Sequence, residues 1–163
     1  MMKDKFDLTG KVGLVVGGRG YLGTRFSVAL AECGAKVYSA DLPQVSHAAQ
    51  KDTDPISQEG IVQRDVDVTD EDSVSALIDG ILFETSHIDV LVYSVTARPD
   101  DFYYPFTECS LDGWQKIIQS ELDGLFLVTR RVGRFMENVG KGNIILISSI
   151  YGVVGNDQRI YCQ

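Results

Sequence analysis

The sequence predicts a doubly wound α/β fold on a parallel sheet. Three observations carry that expectation. Short Val/Ile/Leu-rich runs recur along the chain, amphipathic stretches with helical spacing separate them, and the first run opens into a glycine-rich turn. Runs that are apolar without alternation suit strands covered on both faces. Strand, helix, strand in repeated order requires right-handed crossovers between parallel neighbours.

The elements follow in order. Val12–Val16 is the first strand, ending in glycines. Tyr21–Cys33 is a helix, with Leu22, Phe26, Ala29, Leu30 and Cys33 on one side and Gly34 where a helix C-terminus favours it. Lys36–Ala40 is the second strand. Leu42–Gly60 is polar and irregular, with a short helix near Val45–Gln50. Ile61–Val66 is the third strand. Thr69 is the expected N-cap of a helix whose first turn holds Asp70, Glu71 and Asp72, and whose apolar face holds Val74, Leu77, Ile78, Ile81 and Leu82. Val90–Tyr93 is the fourth strand, Ala97–Ser110 a loop, Leu111–Asn138 one long helix and Asn143–Ser148 the fifth strand.

Composition bounds the function. A chain of 163 residues suits one domain with a real core, and 44% hydrophobic against 23% charged residues is a globular balance. The net charge of −8 argues against nucleic acid as a partner. It leaves room for a nucleotide bound locally by backbone N–H groups. Cys33, Cys109 and Cys162 are odd in number and lack metal-ligand spacing, so a reduced compartment is expected and no metal site. Met1–Gly10 holds no apolar run of a signal peptide, and no stretch approaches the roughly 20 apolar residues of a membrane span. A soluble, cytoplasmic protein acting on a small molecule is the expectation.

The chemistry-bearing segment is Gly17-Gly18-Arg19-Gly20-Tyr21-Leu22-Gly23, between a strand and a helix. Glycines permit positive φ and close backbone approach, and the helix N-terminus presents N–H groups to an anion. A pyrophosphate fits that description; a merely tight turn is the plainer reading. Asp41 ends the second strand, eighteen residues after Gly23. A carboxylate there accepts hydrogen bonds from a ribose diol and repels a 2′-phosphate, favouring NAD over NADP. Arg19 argues the other way, since a guanidinium can meet a 2′-phosphate.

The string "LTGKVGLVVGGRGYLGTRFSVALAECGAKV" from Leu8 to Val37 resembles the opening of short-chain dehydrogenases/reductases. So do Asp67-Val68-Thr69-Asp70, Ile88–Val92, the helix from Trp114 through Phe126, and "GNIILISSIYG" from Gly142 to Gly152, all in family order. "SSIYGVVG" followed by "RIY" resembles a bacterial branch associated with sugar, polysaccharide or flagellin modification. The resemblance implies a Rossmann sheet of order 3-2-1-4-5, here reaching only its fifth strand, as a single domain over residues 1–163. It implies NAD held by Gly17, Arg19, Gly20, Tyr21, Leu22, Gly23, Asp41, Asp67, Val68 and Ser94, with Asp67 at the adenine amino group. It also implies pairing of copies through the Leu111–Asn138 helix.

Four departures from the family pattern stand in this sequence. Val16 replaces a Thr, and the glycines at 17, 20 and 23 are spaced as in the extended, sugar-nucleotide branch. Tyr93-Ser94-Val95-Thr96 replaces the usual Asn-Asn-Ala-Gly, and Glu121 stands where the family has a proton-relay Asn. Glu121 shares the helix face of Trp114, Ile118, Leu125 and Val128, so its carboxylate is paired, water-linked or protonated, or else the face turns far enough for it to reach solvent.

The family moves a hydride to or from a carbonyl carbon, with a Tyr transferring the proton, a Lys four residues later lowering the Tyr pKa, and a Ser on the substrate oxygen. Ser149, beside Ser148, is the candidate Ser; an ordinary strand-end Ser is the alternative. Tyr161 lies twelve residues after Ser149, but its partner Lys would fall beyond Gln163. In the branch it resembles, this Ile-Tyr precedes the Tyr-x-x-x-Lys pair, so Tyr161 is not expected to be catalytic. The 163-residue chain alone is expected to be inactive. The rival readings are a non-catalytic nucleotide-binding module, favoured by the segment at Tyr93–Thr96 and by Glu121, and an extended-type epimerase or dehydratase, favoured by the glycine spacing.

Overall fold

The computed structural model describes residues 6–43 and 59–155. Five parallel strands, β1 (Val12–Val16), β2 (Lys36–Asp41), β3 (Ile61–Asp65), β4 (Val90–Tyr93) and β5 (Asn143–Leu146), form one sheet of order β3-β2-β1-β4-β5. The expected doubly wound order is the one observed. The helix expected near Val45–Gln50 lies outside the described residues, as do Tyr161 and Cys162.

Alternate side chains of the sheet feed two cores. On one face Leu14, Val16, Tyr38, Ala40, Leu91 and Tyr93 meet Val74, Leu77, Ile78 and Ile81 of α2 (Glu71–Thr85) and Val128, Val132 and Met136 of a second helix. On the other, Val15, Val37 and Val92 pack against Phe26, Leu30 and Ala31 of α1 (Tyr21–Glu32). Each fully buried aliphatic side chain contributes about 1.5–3 kcal/mol. β5 is one of the two edge strands, and Ile144, Ile145 and Leu146, with Ile147 just past its end, are all exposed. Among the described residues no helix is long and apolar enough to cross a membrane.

Three boundaries differ from expectation for identifiable reasons. The N-cap of α2 is Asp70, whose carboxylate accepts from the Asp72 N–H; Thr69 is occupied instead, its N–H and hydroxyl both donating to Asp67. β5 ends at Leu146, because the chain then turns into a 3₁₀ turn at Ile150–Gly152 capped by Ser149. The long helix is not continuous: α3 (Leu111–Ile118) passes through a π turn at Gln119–Asp123 into α4 (Gly124–Val139). The π turn falls on Glu121, and such turns often mark functional sites.

Candidate active site

The C-terminal ends of all five strands open on the same side of the sheet, where parallel α/β folds bind ligands. The glycine loop continues the sheet before it turns. Gly17 and Gly18 both donate to the Ala40 carbonyl, at 2.9 and 3.0 Å. Gly17 has φ +81°, and a Cβ there would meet the Ser94 and Val95 backbone within 3 Å; a Cβ on Gly23 would sit 2.0 Å from the Gly17 carbonyl oxygen. These glycines let the loop fold tightly upon itself and against the end of β4. Ser94 secures the same corner, its hydroxyl donating to the Val16 carbonyl at 3.1 Å.

This packing leaves α1 with an open N-terminus. Gly20 is its N-cap and offers no side-chain bond, and the first turn carries no acid. Among the described residues no acceptor meets the N–H groups of Tyr21, Leu22 and Gly23. By contrast, Asp70 caps α2, and Ser110 caps α3 by accepting from Gly113. The side chains of Tyr21 and Leu22 are exposed at that opening. Donors without acceptors at a dipole's positive end are suited to a phosphate group.

Asp41 lies one strand away. Its carboxylate accepts the Arg19 N–H at 2.9 Å and the Leu42 N–H at 2.8 Å, one on each oxygen. A carboxylate has about four acceptor sites, so two remain for a diol. The Arg19 guanidinium is already committed: it donates to the carbonyls of Asp41, Leu42 and Arg64 and pairs with Asp65 at 2.7 Å. The sequence suggested Arg19 as a partner for a 2′-phosphate; the structure turns it onto β2 and β3 instead. Asp65, not singled out from the sequence, is placed by register, because Asp41 pairs with Asp65 across β2 and β3. Two carboxylates side by side call for a cation between them.

Asp67 accepts from the Thr69 N–H and hydroxyl at 2.9 and 2.7 Å and remains half-buried. Val68 turns its side chain into the core against Gly124, so it offers a ligand only its backbone.

The far end of the site is built from the unusual segment after β4. The Tyr93 hydroxyl reaches the π turn and donates to the Ser120 carbonyl at 2.6 Å. Burial, reinforced by the negative charge of Glu121, pushes the Tyr93 phenol well above its usual range, so it is a neutral donor. The Thr96 hydroxyl donates to the Glu121 carboxylate at 2.6 Å. Glu121 is hydrogen-bonded to Thr96 and, at the π turn, its side chain is also partly exposed to solvent. Ser149 lies beyond β5, where Ile147 donates to the Tyr93 carbonyl. Its hydroxyl accepts the Tyr151 N–H at 3.2 Å and stays exposed. Among the described residues no hydrogen bond joins Ser149 to Glu121. No group of three or more His, Cys, Asp or Glu there could hold a metal ion.

Comparison with known proteins agrees with this architecture. The family model described as short chain dehydrogenase matches residues 11–162. The chain is 35% identical to a D-threitol dehydrogenase of Mycolicibacterium smegmatis, over 96% of this chain and 60% of that protein. It is 34% identical to a 3-oxoacyl-[acyl-carrier-protein] reductase of Synechocystis, over 91% of this chain and 60% of the relative. A crystal structure of a short chain dehydrogenase from Leptospira borgpetersenii with bound NAD+ shares the fold at a TM-score of 0.81 and 22% identity, over 98% of this chain and 59% of that one. The chain thus spans about 60% of the length of the relatives it matches.

Proposed function

The chain belongs to the short chain dehydrogenase family, and on that premise we propose that the full-length protein is an oxidoreductase moving a hydride between NAD and an alcohol or ketone. One observation carries the cofactor assignment: the open N-terminus of α1 lies near an Asp41 carboxylate whose two oxygens each accept a single backbone N–H among the described residues. The N–H groups at Tyr21, Leu22 and Gly23 would hold the pyrophosphate, with Gly17 and Gly20 shaping the turn. Asp41 would accept the ribose hydroxyls and repel a 2′-phosphate, favouring NAD over NADP. Asp67 and the Val68 backbone would border the adenine, and Ser94 would keep the loop in place. NAD, when bound, supplies the hydride acceptor.

The remaining roles fall to the other end of the site. Ser149 would donate to the substrate oxygen. Glu121, held by Thr96, would fix a water on the proton route that the family serves with an Asn. The proton-transferring Tyr and its Lys are assigned to sequence beyond Gln163, together with the wall of the substrate pocket. Residues 1–163 would then be the nucleotide-binding part of the enzyme. The exposed Leu111, Trp114, Leu122 and Phe126 on the α3–α4 helix support pairing with a second copy. The odd cysteine count supports a reduced, cytoplasmic setting.

The test is turnover. Full-length protein with NAD+ and a panel of polyols and alicyclic alcohols should form NADH, and the 163-residue chain should form none. Turnover by the 163-residue chain would overturn the assignment of the proton-transfer pair. A full-length protein that binds NAD+ yet oxidises no alcohol and reduces no ketone would instead be a non-catalytic nucleotide-binding module.

A further inference from the structure

We propose that Asp65 is a specificity-determining residue of the adenosine end, acting by holding Arg19 away from the ribose 2′ position. The inference rests on the nucleotide-binding reading above. Arg19 follows the first two glycines, and its own N–H is bonded to Asp41, so its side chain starts from the ribose-facing carboxylate. A guanidinium leaving that point has two destinations: toward a 2′-phosphate, or down onto the strand ends. The structure shows the second. The carbonyls of Asp41 and Arg64 accept at 3.3 Å, the Leu42 carbonyl accepts as well, and among the described residues Asp65 supplies the countercharge paired with Arg19, at 2.7 Å.

Register makes this arrangement possible, because the parallel pairing of β2 with β3 sets Asp65 beside Asp41. Among the described residues the charges there are two carboxylates against one guanidinium, which disfavours a further dianion. Asp65 is largely exposed and Arg19 mostly covered. An ion pair with one exposed partner contributes little to stability. Its effect is therefore expected on ligand choice, through the position of the guanidinium.

A double-mutant cycle on the full-length protein separates this mechanism from a simple change of charge. The probes are 5′-AMP and 2′,5′-ADP, which differ only in the 2′-phosphate, with affinities measured by titration calorimetry. Asp65→Ala should raise the ratio of 2′,5′-ADP to 5′-AMP affinity about tenfold, the scale of one charge-assisted contact. In an Arg19→Ala background the same substitution should leave the ratio within about twofold, the usual limit of additivity. An unchanged ratio in Asp65→Ala overturns the proposal. So does a tenfold gain that persists without Arg19, since charge alone would then explain it. If the unmutated protein binds neither probe, the nucleotide-binding reading itself fails; 5′-AMP binding with an unmoved ratio sinks only the role of Asp65.

Discussion

The Thr96 hydroxyl donates to the Glu121 carboxylate at 2.6 Å, tying the segment after β4 to the π turn of the central helix. Tyr93 makes a second tie through the Ser120 carbonyl. Two residues that depart from the family pattern thus meet each other. If Glu121 orders a water for proton transfer, loosening it should slow turnover and leave NAD affinity alone. Thr96→Val in the full-length protein is expected to lower kcat about tenfold with an unchanged Kd for NAD+. An unaltered kcat would remove Glu121 from the mechanism.

The glycines divide by what surrounds them. A Cβ on Gly23 would lie 2.0 Å from the Gly17 carbonyl oxygen, whereas one on Gly80, inside α2, meets nothing within 4 Å. Gly23→Ala should cost about 3 kcal/mol or more and abolish nucleotide binding. Gly80→Ala should stabilise by about 0.5–1 kcal/mol through helix propensity. Urea denaturation of both variants checks the pair.

Ser39 carries the one buried side-chain polar atom without a hydrogen-bond partner among the described residues. Its Oγ lies beneath Gly18, where an added Cβ would come within 2.3 Å of it. Removing an unsatisfied buried hydroxyl relieves its desolvation cost. Ser39→Ala is expected to raise stability by about 1 kcal/mol, read as a higher urea midpoint at unchanged slope. A loss of stability would show that the hydroxyl has a partner in solution.

At the opposite end of the sheet Asp89 accepts the Val12 N–H at 3.0 Å and pairs with Lys11 at 3.1 Å. Burial of the carboxyl, which alone would raise its pKa, is outweighed by Val12, Lys11 and the nearby His87, so it is held below the usual 3.8. A depressed folded-state pKa gives stability that is complete above the unfolded value and lost as pH falls through the folded one. Asp89→Asn should therefore cost about 2 kcal/mol at neutral pH. It should also flatten the loss of stability below pH 3.8. Equal acid sensitivity in variant and parent would refute this.

The sequence made the sheet legible because β1, β2 and β4 are buried on both faces and their apolar runs admit no other role. The glycine loop and Asp41 were legible for the same reason: strand and helix bracket them. Contacts between distant segments were less so. Periodicity along the central helix says nothing of a π turn, where the Tyr93 hydroxyl donates to Ser120 and Gly124 packs against Val68. The destination of Arg19 depended on sheet register, which a linear reading of the residues does not display.

The most direct measurement is the affinity of the full-length protein for NAD+ and NADP+ by titration calorimetry, with and without Asp41→Ala. The account predicts that NAD+ binds at least about tenfold more tightly than NADP+ and that the substitution erases most of that preference. Binding of neither dinucleotide, or a preference for NADP+ in the unmutated protein, would contradict it.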